Sequence, residues 1–399
     1  MPILSRKGIN MPESPIRKLV PYAEKAKKNN IEVLHLNIGQ PDIPPPDNVI
    51  RKINNFNINS IEYSHSAGME EYRTNLSKYY KKINPQINKQ NILISTGGSE
   101  ALSITLNCIC DPNDEIIIPD PYYANYNGFS HASNVKIVPI ICQIENDFKL
   151  PEIDEFENRI SKKTKAIVIC NPGNPTGALY SKAELEQLAH IVKKYDIFLI
   201  ADEVYREFIY DQNKHFSILN LKSIQENTII IDSVSKRYSM CGARIGSIIS
   251  LNMDFINTAL KFAQARLSPP TFGQIAAMEA LKTQPLYFKE IIEEYDKRRK
   301  LLVNGLNKIK GVKCPMPKGA FYCIAELPVQ DTEHFCRWLL EKFHLNNTTV
   351  MLAPAHGFYS QKNGIKNQVR IAYVLELKKL QISIEIIQSA LATYNEDQS

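Results

Sequence analysis

Between residues 91 and 250, short apolar runs alternate with amphipathic stretches. Seven of these runs read as strands, at 91–95, 115–119, 136–140, 166–170, 197–201, 228–232 and 246–250. They are rich in Ile and Val and apolar on both faces, as strands buried between two helix layers are. The stretches between them read as helices. The clearest is 182–195, where Leu185, Leu188, Ala189 and Val192 recur at steps of three and four and make one apolar stripe. Ser181 stands ahead of it as a cap, with Glu184 three residues on. This alternation predicts an α/β domain with a mostly parallel seven-stranded sheet between helices.

After about residue 285 the pattern changes. A long charged helix is predicted over 286–308, then short strands near 319–326 and 368–373 with helices around them. The expected division is a large domain over 46–285 and a smaller α+β domain built from 1–45 and 286–399. The chain has 399 residues, 44% of them hydrophobic and 23% charged, enough apolar material to fill both cores. The net charge is +6, with no block of like charges, so neither nucleic acid nor a charged tail is indicated. No apolar run is long enough to span a membrane, and the polar, proline-broken start does not resemble an export signal. Eight scattered cysteines without metal spacing read as reduced thiols in a cytoplasmic protein, and no metal is expected.

Polar clusters follow several of the predicted strands, where ligands are met in open α/β sheets. Lys236, in Asp232-Ser-Val-Ser-Lys236, can lose its proton when partly desolvated and become a nucleophile toward carbonyls. Ser233, Ser235 and Arg244 near it could hold a phosphate. Asp202 ends an apolar strand, where an unpaired carboxylate is costly and asks for a cation. Asn174 lies in the turn Asn171-Pro-Gly-Asn174-Pro175-Thr176-Gly177, which exposes side-chain amides. Gly97, Gly98 and Ser99 open a helix whose free amides favour an anion. Read singly, each cluster is also compatible with an ordinary turn, cap or surface residue.

Together they resemble the class I, fold-type I aminotransferases that use pyridoxal 5′-phosphate (PLP), and within these the aspartate aminotransferases. The matching pieces, in the family's order, are LNIGQPD (36–42), EYSHSAG (62–68), TGGSEA (96–101), DPYYANY (120–126), NPGNPTG (171–177), ADEVY (201–205), SVSKRYSMCGARIG (233–246), PKGAFY (317–322) and VRIAY (369–373). The resemblance implies roles. Lys236 would bond to the cofactor aldehyde and move the substrate's α-proton. Asp202 would keep the pyridine nitrogen protonated. Asn174 and Tyr205 would face the phenolic oxygen, and Tyr123 would stack on the ring. Gly97, Gly98, Ser99, Ser233, Ser235 and Arg244 would hold the phosphate. Arg370 and Gly39 would take the substrate α-carboxylate. Tyr63 would reach the neighbouring subunit's cofactor in a homodimer. Two positions depart from the pattern: Tyr123 stands where some relatives carry Trp, and Gln40 where many carry Glu.

The expected reaction is ping-pong transfer of an amino group from an amino acid, aspartate in first place, to a 2-oxo acid, 2-oxoglutarate in first place. Arg17 is the candidate for a distal carboxylate, since the stretch holding it covers the site's mouth in the family. An aromatic amino-acid aminotransferase is the alternative, with Tyr22, Tyr126, Phe129, Phe358 and Tyr359 as pocket candidates. A PLP-dependent lyase on the same scaffold is a third reading. A PLP-binding transcription regulator would need a DNA-binding module ahead of the family pattern, which here begins by about residue 12.

Overall fold

The computed structural model describes residues 2–56, 60–360 and 365–397. Among them there are twelve strands: β1 (Glu32–His35), β2 (Ile92–Ser95), β3 (Glu115–Asp120), β4 (Lys136–Ile141), β5 (Thr164–Cys170), β6 (Phe198–Asp202), β7 (Thr228–Ser233), β8 (Gly246–Ile249), β9 (Tyr322–Glu326), β10 (Thr348–Met351), β11 (Ala353–Pro354) and β12 (Gln368–Ala372). Seven form one sheet in the order β2-β8-β7-β6-β5-β3-β4. β8 runs antiparallel to both of its neighbours, with Ile248 opposite Ile231 on β7 and Leu93 on β2. The other six share one direction.

The central strands feed two cores because successive side chains leave a strand on opposite faces. Leu199, Ala201 and Ile230 pack with Leu185, Leu188 and Val192 on one side. Ile200, Ile229 and Ile231 pack with Leu102, Leu106 and Ile256 on the other. This two-sided burial is why the strands carry almost no polar residues until their carboxyl ends. Pro139 lies in β4, the edge strand, where a missing N–H leaves no ladder bond unmade.

Helix Lys182–Tyr195 starts on the expected capping box: Ser181 Oγ accepts from the Glu184 amide while the Glu184 carboxylate accepts from the Ser181 amide. Such a cap contributes about 1 kcal/mol. The helix ends at Asp196, whose φ of 49° turns the chain into β6.

A third core gathers both ends of the chain. Leu19, Leu34 and Leu36 from the start pack with Leu302, Phe335, Val350 and Ile387 from the end. Around them stand the antiparallel sheet β11-β12-β9, the parallel pair β1-β10 and the helices Pro285–Leu306, Thr332–Glu341 and Leu377–Asp397. The expected strand at 319–326 begins only at Tyr322. Ala320 has a φ of 57° and its amide donates to the Phe208 carbonyl, so that stretch is tied to the segment after β6 instead of extending the strand. No helix among the described residues is long and apolar enough to cross a membrane.

Candidate active site

The carboxyl ends of β5, β6 and β7 and the first turn of helix Gly97–Ile109 open onto one cavity of about 640 Å³. Asp202 closes β6 at its floor. Burial raises its carboxyl to about 7, against which the Val204 amide (3.3 Å) and the Tyr126 hydroxyl (3.1 Å) donate to it. One strand over, Asp232 is as deeply buried, and burial alone would raise it too. Arg237, at 2.7 Å, and Arg206 hold it below the usual carboxylate range instead. The two aspartates differ in their partners. Asp232 has its cation within the protein, and among the described residues Asp202 forms no ion pair.

Lys236 projects from the short helix Val234–Arg237 after β7. Its Nζ donates to the Gly39 carbonyl oxygen at 2.8 Å and lies 3.8 Å from Cys241 Sγ. Ser233 caps this helix. Its Oγ accepts from the Ser235 amide at 3.1 Å and donates its one hydrogen to the Ile245 carbonyl at 2.9 Å. Arg237, locked on Asp232, anchors the turn from below.

Arg370, on β12, enters the cavity from the other side. It is 1% exposed, and among the described residues it pairs with no carboxylate. Nη1 donates to Asn174 Oδ1 at 3.1 Å, Nη2 donates to the Asn37 carbonyl, and Nε has no partner. The guanidinium lies between the rings of Tyr322 (4.7 Å) and Phe358 (4.6 Å). Burial lowers its pKa. A buried guanidinium with no carboxylate partner among the described residues and a free Nε has the donors to take one. Asn174 Nδ2 lies 3.4 Å from the Tyr205 hydroxyl, which is 3.0 Å from that of Tyr322. The close approach of Tyr322 requires a glycine at 39, where a Cβ would fall 1.8 Å from its hydroxyl oxygen.

The first amides of helix Gly97–Ile109, with Gly98, Ser99, Ser235 and Arg244, form a donor-rich pocket wall. Gly97 stands behind it. Its φ is +75°, and a Cβ there would sit 2.5 Å from Arg244 Nη2, so the bare Cα gives the guanidinium its place.

A family model, "Aminotransferase class I and II", matches residues 31–387. The chain belongs to that family. This aminotransferase is similar to the aspartate aminotransferase of Pyrococcus horikoshii, 33% identical over 95% of this chain and 94% of the relative. It is 32% identical to the (5-formylfuran-3-yl)methyl phosphate transaminase of Methanocaldococcus jannaschii, over 98% of this chain and 100% of the relative. Among solved structures it is similar to Thermus thermophilus aspartate aminotransferase with maleate, with a TM-score of 0.88, 27% identity, and coverage of 98% of this chain and 100% of that one.

The aminotransferases of this family depend on PLP, and the residues present suit it. Asp202 lacks a cation and a protonated pyridine is one. The helix start with Ser235 and Arg244 offers donors for a phosphate, and Lys236 offers an amine for an aldehyde.

Of the sequence candidates, Gly39, Gly98, Ser99, Tyr123, Asn174, Asp202, Tyr205, Ser233, Ser235, Lys236, Arg244, Arg370 and Arg17 line the cavity. Gly97 does not. Tyr63 is 79% exposed and lies outside it. None of the five aromatics considered for an apolar substrate pocket lines it either. Tyr126 is buried against Asp202, Phe358 against Arg370, Tyr359 bonds Gln368, Tyr22 lies under Arg337, and Phe129 packs against the core under helix Gly97–Ile109. Sequence reasoning missed Tyr322, although PKGAFY contains it, and Cys241, which follows the SVSK motif.

The guanidinium of Arg370, which lacks a carboxylate partner among the described residues, carries a prediction. Arg370→Lys keeps the charge but loses the planar pair of donors. KM for amino acid and oxo acid alike should rise about tenfold to a hundredfold, because both carry an α-carboxylate. Steady-state kinetics on both half-reactions check this. A rise for one substrate only would contradict it.

Proposed function

We propose that this aminotransferase transfers the amino group of aspartate to 2-oxoglutarate in two successive half-reactions at one site. The observation that carries this reading is Arg17. It stands exposed at the cavity mouth, without an ion pair among the described residues, while Arg370 waits inside. Two guanidiniums on one cavity, neither paired with a carboxylate among the described residues, suit a substrate with a carboxylate at each end. The relatives named aspartate aminotransferases support it, and the Thermus neighbour's ligand, maleate, is a dicarboxylate.

When bound, PLP supplies the aldehyde that takes the amino group and a protonated ring that draws electrons from the substrate α-carbon. The chain's residues do the rest. Arg370 grips the α-carboxylate and fixes the Cα–H bond toward Lys236. Lys236 Nζ would take the proton from that carbon and pass it to the former aldehyde carbon, and would carry it the other way in the second half-reaction. Asp202 stays ionised against the ring cation. Asn174 and Tyr205 would donate to the ring oxygen, with the Tyr322 hydroxyl 3.0 Å behind that of Tyr205.

The same reading takes 46–285 as the PLP-binding domain and 1–45 with 286–399 as the small domain. It takes the protein as a cytoplasmic homodimer. All eight cysteines are free thiols, in keeping with a reducing compartment. Tyr63 and Ile61, 79% and 66% exposed, are large side chains left open to a second copy, whose site Tyr63 would complete. Sedimentation of the PLP-loaded enzyme should give a dimer, and a fully active monomer would refute it.

The substrate is tested by adding each amino acid in turn to the PLP-loaded enzyme and following conversion of the cofactor. Aspartate should react fastest, and tyrosine or phenylalanine ahead of it would overturn the reading. Arg17→Ala should lower kcat/KM for aspartate and 2-oxoglutarate about tenfold or more against monocarboxylate substrates, the scale of one charge-assisted bond. Equal losses for both classes would sink the role of Arg17. Ammonia released without any oxo acid would favour a lyase.

A further inference from the structure

We infer that Asn37 is a positioning residue that fastens the N-terminal segment 14–17 over the cavity and couples it to the arginine that reads the α-carboxylate. The inference deepens the dicarboxylate reading and rests on it for the role of Arg17. Asn37 is fully buried at the end of the stretch that follows β1. Its side chain and backbone face different parts of the site. Nδ2 donates to the Ile16 carbonyl at 3.1 Å, one residue before Arg17. The Asn37 carbonyl accepts from Arg370 Nη2. Two residues on, the Gly39 carbonyl accepts from Lys236. His35 Nδ1 lies 3.4 Å from Asn37 Oδ1, while the NH₂ end of the amide meets Ile16.

The segment it holds is lightly anchored. Ser14, Ile16 and Arg17 all line the cavity, and Ile16 is only partly buried, against Ala124 and Phe358. Pro15 rests on Gly357, where a Cβ would fall 2.1 Å from the proline ring. Within the segment the Arg17 amide bonds back to the Ser14 carbonyl at 3.0 Å. Among the described residues, Asn37 gives the only side-chain hydrogen bond onto the backbone of 14–17. A buried amide donor needs its acceptor, so the bond also selects the seated position of the segment over any lifted one. Arg17 then stands at a fixed distance from Arg370, which sets the length of substrate that both can hold.

The test uses PLP-loaded wild type, Asn37→Ala, Asn37→Asp and Arg17→Ala. Asn37→Asp keeps the shape and removes the donor, so it serves if the alanine variant folds poorly. Two quantities are read: amide hydrogen exchange of the peptide covering 14–20, and the ratio of kcat/KM for aspartate to that for a monocarboxylate amino acid. In both Asn37 variants exchange should quicken and the ratio should fall about fivefold, the scale of one neutral hydrogen bond. A residue with a merely structural role would lower both rates together and leave the ratio unchanged. Wild-type exchange in 14–20 overturns the inference, and so does a wild-type ratio where Arg17→Ala lowers it. If Arg17→Ala leaves the ratio unchanged, the substrate reading fails, and exchange alone then decides whether Asn37 holds the segment.

Discussion

Replacing Lys236 with alanine should abolish turnover, with a loss on the order of 10⁴-fold or more, as when a sole nucleophile and proton carrier is removed. The fold should survive. The helix Val234–Arg237 keeps its Ser233 cap and the Arg237–Asp232 pair at 2.7 Å, neither of which involves Lys236. PLP should still bind, because the helix start, Ser235, Arg244 and Asp202 remain. The check has two parts. Borohydride treatment of the PLP-loaded wild type should fix the cofactor covalently on the peptide that contains Lys236, and the alanine variant should show no fixation. Label on another lysine would displace Lys236 from its role, as would a variant that retains a tenth of wild-type activity.

Much of this site was legible because its residues lie at strand ends within short motifs. All seven strands of the large sheet were placed to within about two residues, since burial on both faces leaves a continuous Ile and Val run that ends where the chain meets solvent or ligand. Asp202 ends β6 and Lys236 follows β7 by three residues, so the sheet pattern marked them as candidates and the resemblance to the family gave them roles. β1 and β10 gave no such signal. They carry Glu32, His35, Thr348 and Thr349 and pair across more than three hundred residues, so no local pattern marks them. Asn37 and Tyr322 could not be read that way, because their contacts join separate segments, as in the Tyr205–Tyr322 hydroxyl pair and the Asn37–Ile16 bond. The five aromatics stand outside the cavity lining for a related reason. Counting aromatics could not reveal that Tyr126 and Phe358 serve Asp202 and Arg370 from behind.

Asp202→Asn should cost roughly a hundredfold or more in kcat while leaving the fold intact, the scale of losing one preorganised electrostatic partner. An amide accepts a hydrogen bond but cannot balance a ring cation, so the ring would lose its proton and its pull on the α-carbon. The same substitution should act in the opposite direction on stability once PLP is removed. Without the cation, burial holds the Asp202 carboxyl at about 7, whereas the unfolded chain titrates near the ordinary 3.8. A raised folded-state value means that the neutral form is the one the fold tolerates. The stability it brings is fully present below about pH 4 and is lost as pH rises to about 7, with a total on the order of 4 kcal/mol. Asparagine does not titrate and escapes that loss. Cofactor-free Asp202→Asn should therefore melt above cofactor-free wild type at pH 8, with the gap closing as pH falls from 7 toward 4. With PLP bound the gap should shrink or reverse at pH 8, because the ring cation then stabilises the carboxylate. Melting curves with and without PLP across that range decide it. A cofactor-free gap that is independent of pH would show that burial does not raise the Asp202 carboxyl, and a gap at pH 8 that PLP leaves unchanged would show that Asp202 is not the partner of the ring.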